Sequence, residues 1–423
     1  MHRKTLRRPA LGFAIALLVA AFAPTARAAD ELSFEYKTDH YVVGTDISAR
    51  FAEVVARHME EIYKEYSRRF ATYGEADGRF DVKVFGREKD YWKHVPAEVK
   101  GSTGCFVERD RLLAAHAEGR TPEEVLRTLY HEGLHQFVYQ VVSPRCPVWL
   151  NEGMAEYFSE ATWDSRSFAV GQVPTDRLHV VQQAVRDGNY VPFEDLFEMN
   201  TDRWIQNART DAHAAQLTYS QSWSIVHFLV HGDNGAYSGS LNKFLKAIAE
   251  GADQDEALEE SFGPNLSLRA FEQAWARHVM SLEPSPKFRC RDNMEAIMLL
   301  ALHFYRDPRE FEEVGDLRRA LMNNRRTRWE ITRPHGGTIS SSDPDRVARL
   351  FRCPFDNDSH DVSYAVVHNP ATGLPVLVCN HHPGVILKAY YQRAPSGMRI
   401  RVEEEVRDLL TPQFRNAIKA AID

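Results

Sequence analysis

The sequence lacks a run of apolar residues long enough to cross a membrane. Its longest, Ala10 to Ala23, ends at Pro24 and is shorter than the about 20 residues that a spanning helix needs. Basic residues precede this run, and Ala26-Arg27-Ala28 follows it with the small-x-small pattern of a cleavage site. These features predict a signal peptide over residues 1–28 and export to the periplasm or the medium, with an uncleaved membrane anchor as the alternative.

An excess of positive charge is also lacking. Removal of residues 1–28 takes away five basic residues and no acidic ones, so the formal net charge changes from −7 to −12. A surface this acidic repels phosphate backbones and anionic lipids. We therefore expect no nucleic acid as a partner, and no stable membrane span once the signal peptide is cleaved.

Cysteine is scarce, with five residues in 423. Export permits disulfides, and an odd number leaves at least one thiol free or paired outside the chain. Cys353 and Cys379 flank one small β unit and are the first prediction for a disulfide. Together with His360, His381 and His382 they are also candidates for a second, structural zinc site, but the absence of a CxxC pair favours the disulfide.

The chain has no phosphate-binding glycine loop, no nucleophile elbow and no internal repeat, which argues against P-loop and serine-hydrolase chemistry. Hydrophobic periodicity predicts an α+β fold. The sequence Pro-Ser-Pro at 284–286 marks a boundary between a larger domain, 29–283, and a smaller α+β domain of unknown role, 287–423. The predicted strands are a pair within 32–44, then 79–86, 104–116 and four between 363 and 404. The predicted helices are 47–70, one from Thr121, 147–160, 174–187, 217–232, 239–250, 253–261, 267–282, 289–304, 308–323 and 411–421.

The helix that begins at Thr121 carries the motif His-Glu-Gly-Leu-His. Residues four apart share one face of a helix, so His131 and His135 can both reach one zinc ion. Glu132 is placed to act as a base on a water at that ion rather than as a ligand. In a chain with 18 histidines the motif alone is suggestive, and a buried helix with two hydrogen-bonded histidines is the alternative.

A second motif lies in the helix predicted over 147–160, which a short break should fold back against the first. Glu152 and Glu156 share one face of it. Glu152 can complete a His-His-Glu ligand set that leaves a fourth position for water, as catalytic zinc sites do. Glu156 can accept the second ring proton of a ligand histidine, and the small Gly153 and Ala155 allow the two helices to approach. A solvated acidic helix face is the alternative.

His-Glu-x-x-His, followed sixteen residues after its second histidine by Asn-Glu-x-x-Ala-Glu, resembles the gluzincin metallopeptidases, of which thermolysin is the familiar type. The resemblance implies a small β-sheet, an active-site helix pair and a helical subdomain. Carried over by position, His131, His135 and Glu152 are the zinc ligands, Glu132 is the general base, and Glu156 takes the place of the acid that supports a ligand histidine.

The stretches HEGLHQF, PVWLNEGMAEYF and YSQSWSIVHFL are more similar still to a family of uncharacterised exported bacterial proteins described as peptidases, along residues 33–282. Gluzincins often have Ser and Asp where this chain has Ala155 and Glu156. The Gly-x-Met-Glu-Asn motif of the aminopeptidase branch is absent, and so is the third histidine of the metzincins.

By a looser resemblance, Tyr219 is the candidate donor to the oxyanion that forms during peptide hydrolysis, ahead of His227 and His213. A core tyrosine on an amphipathic helix is the alternative. Residues 104–116 are the candidate edge strand that receives an extended peptide by β-augmentation.

These observations predict an exported zinc metallopeptidase of the gluzincin type that acts on a peptide or protein substrate. Two alternatives remain, a catalytically inactive zinc-bearing scaffold or binding protein and a zinc hydrolase of a non-peptide amide. Glu132 argues against the scaffold, because a purely structural zinc site has no use for that carboxylate.

Overall fold

The computed structural model describes residues 32–74, 76–99, 101–163, 167–264, 267–323, 328–333, 337–356, 362–394 and 397–406. The predicted signal peptide, 1–28, and the predicted last helix, 411–421, lie outside them. The fold is mixed, with 55% helix and 18% strand, which confirms the predicted α+β class. None of the helices within the described residues is both long and apolar enough to cross a membrane.

The strands in chain order are β1 Phe34–Lys37, β2 Tyr41–Thr45, β3 Phe80–Phe85, β4 Gly104–Val107, β5 Leu112–His116, β6 Thr162–Trp163, β7 Phe168–Ala169, β8 Glu330–Thr332, β9 Thr338–Ser340, β10 Ala365–His368, β11 Pro375–Cys379, β12 Val385–Ala394 and β13 Gly397–Val406. The α-helices are α1 Ala49–Arg69, α2 Glu88–Tyr91, α3 Pro122–Phe137, α4 Val148–Ser159, α5 Thr175–Asp187, α6 Phe193–Phe197, α7 Thr201–Thr210, α8 Ala212–His231, α9 Ser238–Glu250, α10 Gln254–Phe262, α11 Leu268–Ser281, α12 Pro286–Phe304, α13 Val314–Asn323 and α14 Pro344–Leu350.

Packing divides the described chain into two compact units. The first takes its residues from 32–159 and 191–272, and the second takes them from 160–190 and 273–406. The second unit therefore includes a segment that precedes the boundary predicted at 284–286. The predicted domain limits, 29–283 and 287–423, stay a prediction.

The first unit is built on a mixed five-stranded sheet in the order β1-β2-β3-β5-β4. The inner pairs β2–β3 and β3–β5 are parallel, and the outer pairs β1–β2 and β4–β5 are antiparallel. Helix α1 buries the apolar stripe that its sequence predicts, including Phe51, Val55, Met59 and Ile62, each fully buried. Burial of such a stripe, more than helix propensity, holds an amphipathic helix in place.

The second unit contains an antiparallel meander in the order β10-β11-β12-β13, which confirms the strand-rich region predicted between 363 and 404. Strand β12 alternates buried and partly exposed residues over its first seven positions, the pattern of a sheet with one covered face. Helix α12 packs against β12 and β13.

Several sequence-based assignments need correction. Residues 104–116 form two antiparallel strands instead of one, because the chain reverses through a 3₁₀ turn at Glu108–Asp110 and Arg111 adopts a left-handed conformation with φ 49°. Residues 308–323 begin with a separate 3₁₀ turn, so α13 starts only at Val314. The expected Cys353–Cys379 disulfide is not formed: all five cysteines are free thiols, and the sulfurs of this pair meet a third, that of Cys290.

Helix α3 passes directly into one π-helical turn at Val138–Val142. The backbone N–H of Ser143 donates to the carbonyl of Val138 over 2.9 Å, across five residues. This wider turn ends the helix and leads into the break before α4.

Candidate metal centre

Helix α3 begins with the capping geometry that its sequence predicts. The hydroxyl of Thr121 accepts the backbone N–H of Glu124 at 3.2 Å, and the Glu124 carboxylate accepts the backbone N–H of Thr121 at 2.7 Å. Two backbone donors that would otherwise lack partners are thereby satisfied. About two and three turns after Glu124, the helix carries His131 and His135, both 1% exposed.

Buried polar contacts anchor α3 to the sheet and to α1. The side-chain amide of Gln136 donates to the carbonyls of Asp81 and Arg111, at 3.1 and 2.9 Å. The hydroxyl of Tyr66 on α1 donates to the carbonyl of Tyr130 at 2.6 Å. Because buried hydrogen bonds are costly to break, these contacts fix the helix face that carries the histidines.

Helix α4 brings a carboxylate to the same place. Oε2 of Glu152 lies 3.4 Å from Nε2 of His131 and 3.5 Å from Nε2 of His135. The neighbouring Gly153 allows a close approach to α8 rather than to α3, since a Cβ there would lie 2.5 Å from the carbonyl oxygen of Ser222. The expectation that Gly153 lets α4 approach the histidine helix is therefore corrected.

The three ligand atoms form a nearly equilateral triangle, because the two Nε2 atoms are themselves 3.2 Å apart. A tetrahedral ion bound at about 2.0–2.1 Å would separate its ligand atoms by about 3.3–3.4 Å. All three side chains are buried. His131, His135 and Glu152 thus form a buried group able to bind a metal ion.

Glu132 is fully buried beside this group. Neither oxygen of its carboxylate has a hydrogen-bond partner within 3.5 Å, and the backbone of Phe106 interacts with it more weakly. Burial raises the pKa of Glu132 above its ordinary value, and the imidazoles of His131 and His135 partly oppose that shift. A buried carboxylate with so few partners is costly to the fold. Its position beside candidate metal ligands is an observation from which a chemical role can be proposed.

The ligands shift one another's pKa. Burial alone would lower the pKa of His135, but the carboxylate of Glu152 outweighs burial and raises it to about 9. Burial would raise the pKa of Glu152, whereas His135 and His131 lower it overall. At neutral pH the metal-free group therefore carries a proton that an incoming ion must displace.

Glu156 lies on the far side of His131, with Oε1 3.9 Å from Nδ1 of that histidine. This distance allows electrostatic attraction but exceeds that of a hydrogen bond. Its other oxygen accepts the hydroxyl of Ser159 at 3.4 Å. The structure thus places Glu156 next to the ring nitrogen that its predicted role requires, and that role stays a prediction.

Tyr219 on α8 is 1% exposed, and its ring meets Trp204 edge-on with centroids 5.1 Å apart. Burial raises its pKa well above the ordinary value, and the nearby charges of Glu152 and Glu156 add to this shift. Tyr219 therefore lies within electrostatic range of the centre, and its assignment as oxyanion donor stays a prediction.

The weaker oxyanion candidates lie elsewhere on α8. His227 is buried, with its ring next to those of Trp223 and His231, and His213 is exposed in the first turn of the helix.

Helices α6 and α7 were not predicted from the sequence, and α7 contributes to the centre. Thr201, Trp204 and Ile205 of α7 line a small cavity together with Asn151 and Glu152. Its volume is about 20 Å³, enough to hold a water molecule. The amphipathic pattern around Trp204 is a sequence signal that could have predicted α7, but no functional motif lies within it.

Among the comparisons with known proteins, one family model matches this region of the chain. The model of the family described as "Protein of unknown function (DUF1570)" matches residues 125–248, which include the metal-binding group, Glu132 and Tyr219. No curated protein matches the chain, and no solved structure does either. The family similarity thus covers the helices that build the centre and assigns them no activity.

Proposed function

We propose that this protein is an exported zinc metallopeptidase that hydrolyses peptide bonds in peptides or proteins. The observation that carries the proposal is the buried carboxylate of Glu132, which has no hydrogen-bond partner within 3.5 Å and lies beside three converging ligand atoms. A structural metal site needs no such group, whereas hydrolysis needs a base at this position.

The donor set supports zinc as the ion. Two imidazole nitrogens and one carboxylate oxygen are ligands that zinc accepts, and three protein ligands leave one position open for catalysis. Zinc held by His131, His135 and Glu152 would supply Lewis acidity toward a carbonyl group and toward an attacking water.

The other residues would then move protons and orient groups. The Glu132 carboxylate accepts a proton from the attacking water and passes it to the departing amine nitrogen. Glu156 orients the ring of His131 through Nδ1. The hydroxyl of Tyr219, which burial keeps protonated, donates to the developing oxyanion.

A gluzincin-like arrangement of the first unit belongs to the same proposal. Strand β4 lies at the edge of the sheet and packs against α3. A Cβ on its Gly104 would lie 2.5 Å from Cγ2 of Thr128, one turn before His131. All four residues of β4 are buried, so an extended substrate would pair with this edge only after the edge is uncovered, and it would then run past the centre.

The test is cleavage of an unfolded protein mixture by the mature chain, residues 29–423, beside Glu132→Gln. The control is Glu123→Gln, the same substitution in the first turn of the same helix. Zinc content is measured in all three preparations. We expect equal zinc in all three, and cleavage lowered at least about 10²-fold in Glu132→Gln only, because a general base contributes that much.

Two results would contradict the proposal. Bound zinc without cleavage by the wild-type chain would favour an inactive scaffold or the hydrolysis of a non-peptide amide. Absence of zinc from the group on α3 and α4 would overturn the metal assignment itself.

A further inference from the structure

Three cysteines from distant parts of the sequence meet inside the second unit. Cys290 lies on α12, Cys353 follows α14, and Cys379 ends β11. Their sulfur atoms all lie within 4.8 Å of one another, and each residue is at most 2% exposed. We name these three residues the cysteine cluster.

The distances within the cluster are not those of a disulfide. The sulfur of Cys290 lies 2.9 Å from that of Cys353 and 3.4 Å from that of Cys379. A disulfide requires about 2.05 Å, whereas thiolates bound to one tetrahedral zinc ion at about 2.3 Å lie about 3.8 Å apart. Outward movements of less than about 1 Å would therefore open the cluster around a metal ion.

We propose that the cysteine cluster binds one Zn²⁺ ion as a structural centre of the second unit. Three thiolates are soft ligands that select thiophilic ions, and zinc links segments in this way without redox chemistry. His381 lies two residues after Cys379, with its Nε2 3.6 Å from a carboxylate oxygen of Asp356, and it or a water would take the fourth position. His360, which the sequence suggested for such a site, lies outside the described residues.

The centre would join three elements of the second unit. Cys290 and Cys353 are 63 residues apart, and Cys290 and Cys379 are 89 residues apart. An ion bound to all three closes two long loops, and its binding free energy becomes folding free energy when the site exists only in the folded chain. Among the described residues, the buried carboxylate of Asp356 lies three residues after Cys353 and accepts the hydroxyl of Ser363 at 2.6 Å, and we propose a structural role for the cluster.

The test is zinc content of the mature chain purified without chelator, compared among wild type, Cys290→Ser and Cys105→Ala. Cys105 is a matched control because it is fully buried, free and in the first unit. We expect Cys290→Ser to contain one zinc ion per chain fewer than the other two proteins. That difference is expected whatever the histidine group binds, so it is independent of the proposed peptidase activity.

A second measurement on the wild-type chain covers the case in which Cys290→Ser does not fold. Alkylation followed by mass spectrometry should leave the cysteine cluster unmodified until a chelator is added. Equal zinc in wild type and Cys290→Ser, copper in place of zinc, or a disulfide between any two of the three cysteines would overturn the proposal.

Discussion

The two clusters of candidate metal ligands differ in how the chain builds them. The histidine group of the first unit comes from two successive helices and spans 22 residues, from His131 to Glu152. The cysteine cluster of the second unit gathers residues from α12, from the segment after α14 and from β11. The first group has an unpaired buried carboxylate beside it and the second has none among the described residues.

This difference is what we expect if the first group serves a reaction and the second serves stability. Ligands on two packed helices are held in place by the helices, with or without an ion. An ion bound there is therefore not needed for the fold and can take part in a reaction. Ligands from distant segments need the ion to hold those segments together. Four predictions test the distinction, and they follow in order of decreasing effect.

The largest effect is expected when each cluster is broken separately. His131→Ala should reduce peptide cleavage to background, because two ligands do not hold zinc, and should leave the thermal unfolding of the second unit unchanged. Cys353→Ser should retain cleavage and lower the unfolding temperature of the second unit by about 10 °C, since losing the ion removes several kcal/mol. A peptide-cleavage assay measures the activity, and hydrogen exchange resolved by peptide measures the stability of both units in one sample.

The reverse pattern would show that the two roles are exchanged. Loss of both activity and second-unit stability in either variant would show that the clusters do not act separately. A chelator should reproduce both effects together in the wild-type protein.

The next effect concerns acid stability of the first unit. His58 is fully buried, its Nδ1 lies 2.7 Å from the hydroxyl of Tyr130, and burial lowers its pKa to about 3. The unfolded chain therefore takes up a proton first as the pH falls, and stability that is present above about pH 6.5 is lost between that pH and about pH 3. Each pH unit costs up to about 1.4 kcal/mol.

His58→Gln removes this titration and keeps a group able to hydrogen-bond to Tyr130. Between about pH 7 and pH 5 the wild-type first unit should lose about 2 kcal/mol more than the variant. Hydrogen exchange in α1 and α3 at the two pH values gives the comparison. Parallel losses in the two proteins would show that His58 is not the group responsible.

Gly153→Ala should lower the free energy of unfolding of the first unit by about 1–3 kcal/mol. The Cβ of the new alanine would force α4 away from the carbonyl oxygen of Ser222. Cleavage should fall as well, since Glu152 moves with the helix. Gly239→Ala is the matched control: a Cβ there meets nothing within 4 Å. A Gly153→Ala protein as stable and active as that control would contradict the close packing of α4 on α8.

The smallest effect concerns helix capping. Thr121→Ala and Asp253→Ala each remove a capping box, from α3 and from α10, and each should cost about 1 kcal/mol. Because α3 carries His131 and His135 and α10 carries no candidate ligand, only Thr121→Ala should weaken zinc binding by the histidine group. Urea unfolding measures the stability of each variant, and a titration measures its zinc affinity. Equal zinc affinities in the two variants would show that the cap of α3 does not affect the metal centre.

The parts of the molecule that the sequence predicts are those with local causes. The periodicity of α1, the cap at Thr121 and the four-residue spacings that bring His131, His135 and Glu152 together all lie within one or two helices. The reversal between β4 and β5 was missed because Arg111 adopts a left-handed conformation that glycine or asparagine normally signals.

Non-local features were also missed, for a different reason. Cys290 joins the cysteine cluster across 63 residues, and no spacing rule covers such a distance. The packing partner of Gly153 was assigned to the wrong helix, since a small residue indicates close approach without indicating to what. Zinc and peptide cleavage stay predictions that the experiments above address, and export stays a prediction.

The π-helical turn at Val138–Val142 lies between the histidines on α3 and the break that leads to Glu152 on α4, so its length affects the direction in which the chain leaves α3. It follows the histidines directly, so a change in its length leaves His131 and His135 in register with the sheet. Loss of one residue within it would restore α-helical spacing and rotate the point at which the break before α4 begins by about 100° around the helix axis. The break would then have to follow another path for Glu152 to meet the histidines. We therefore expect single-residue insertions and deletions in this turn to leave both helices formed and to weaken metal binding.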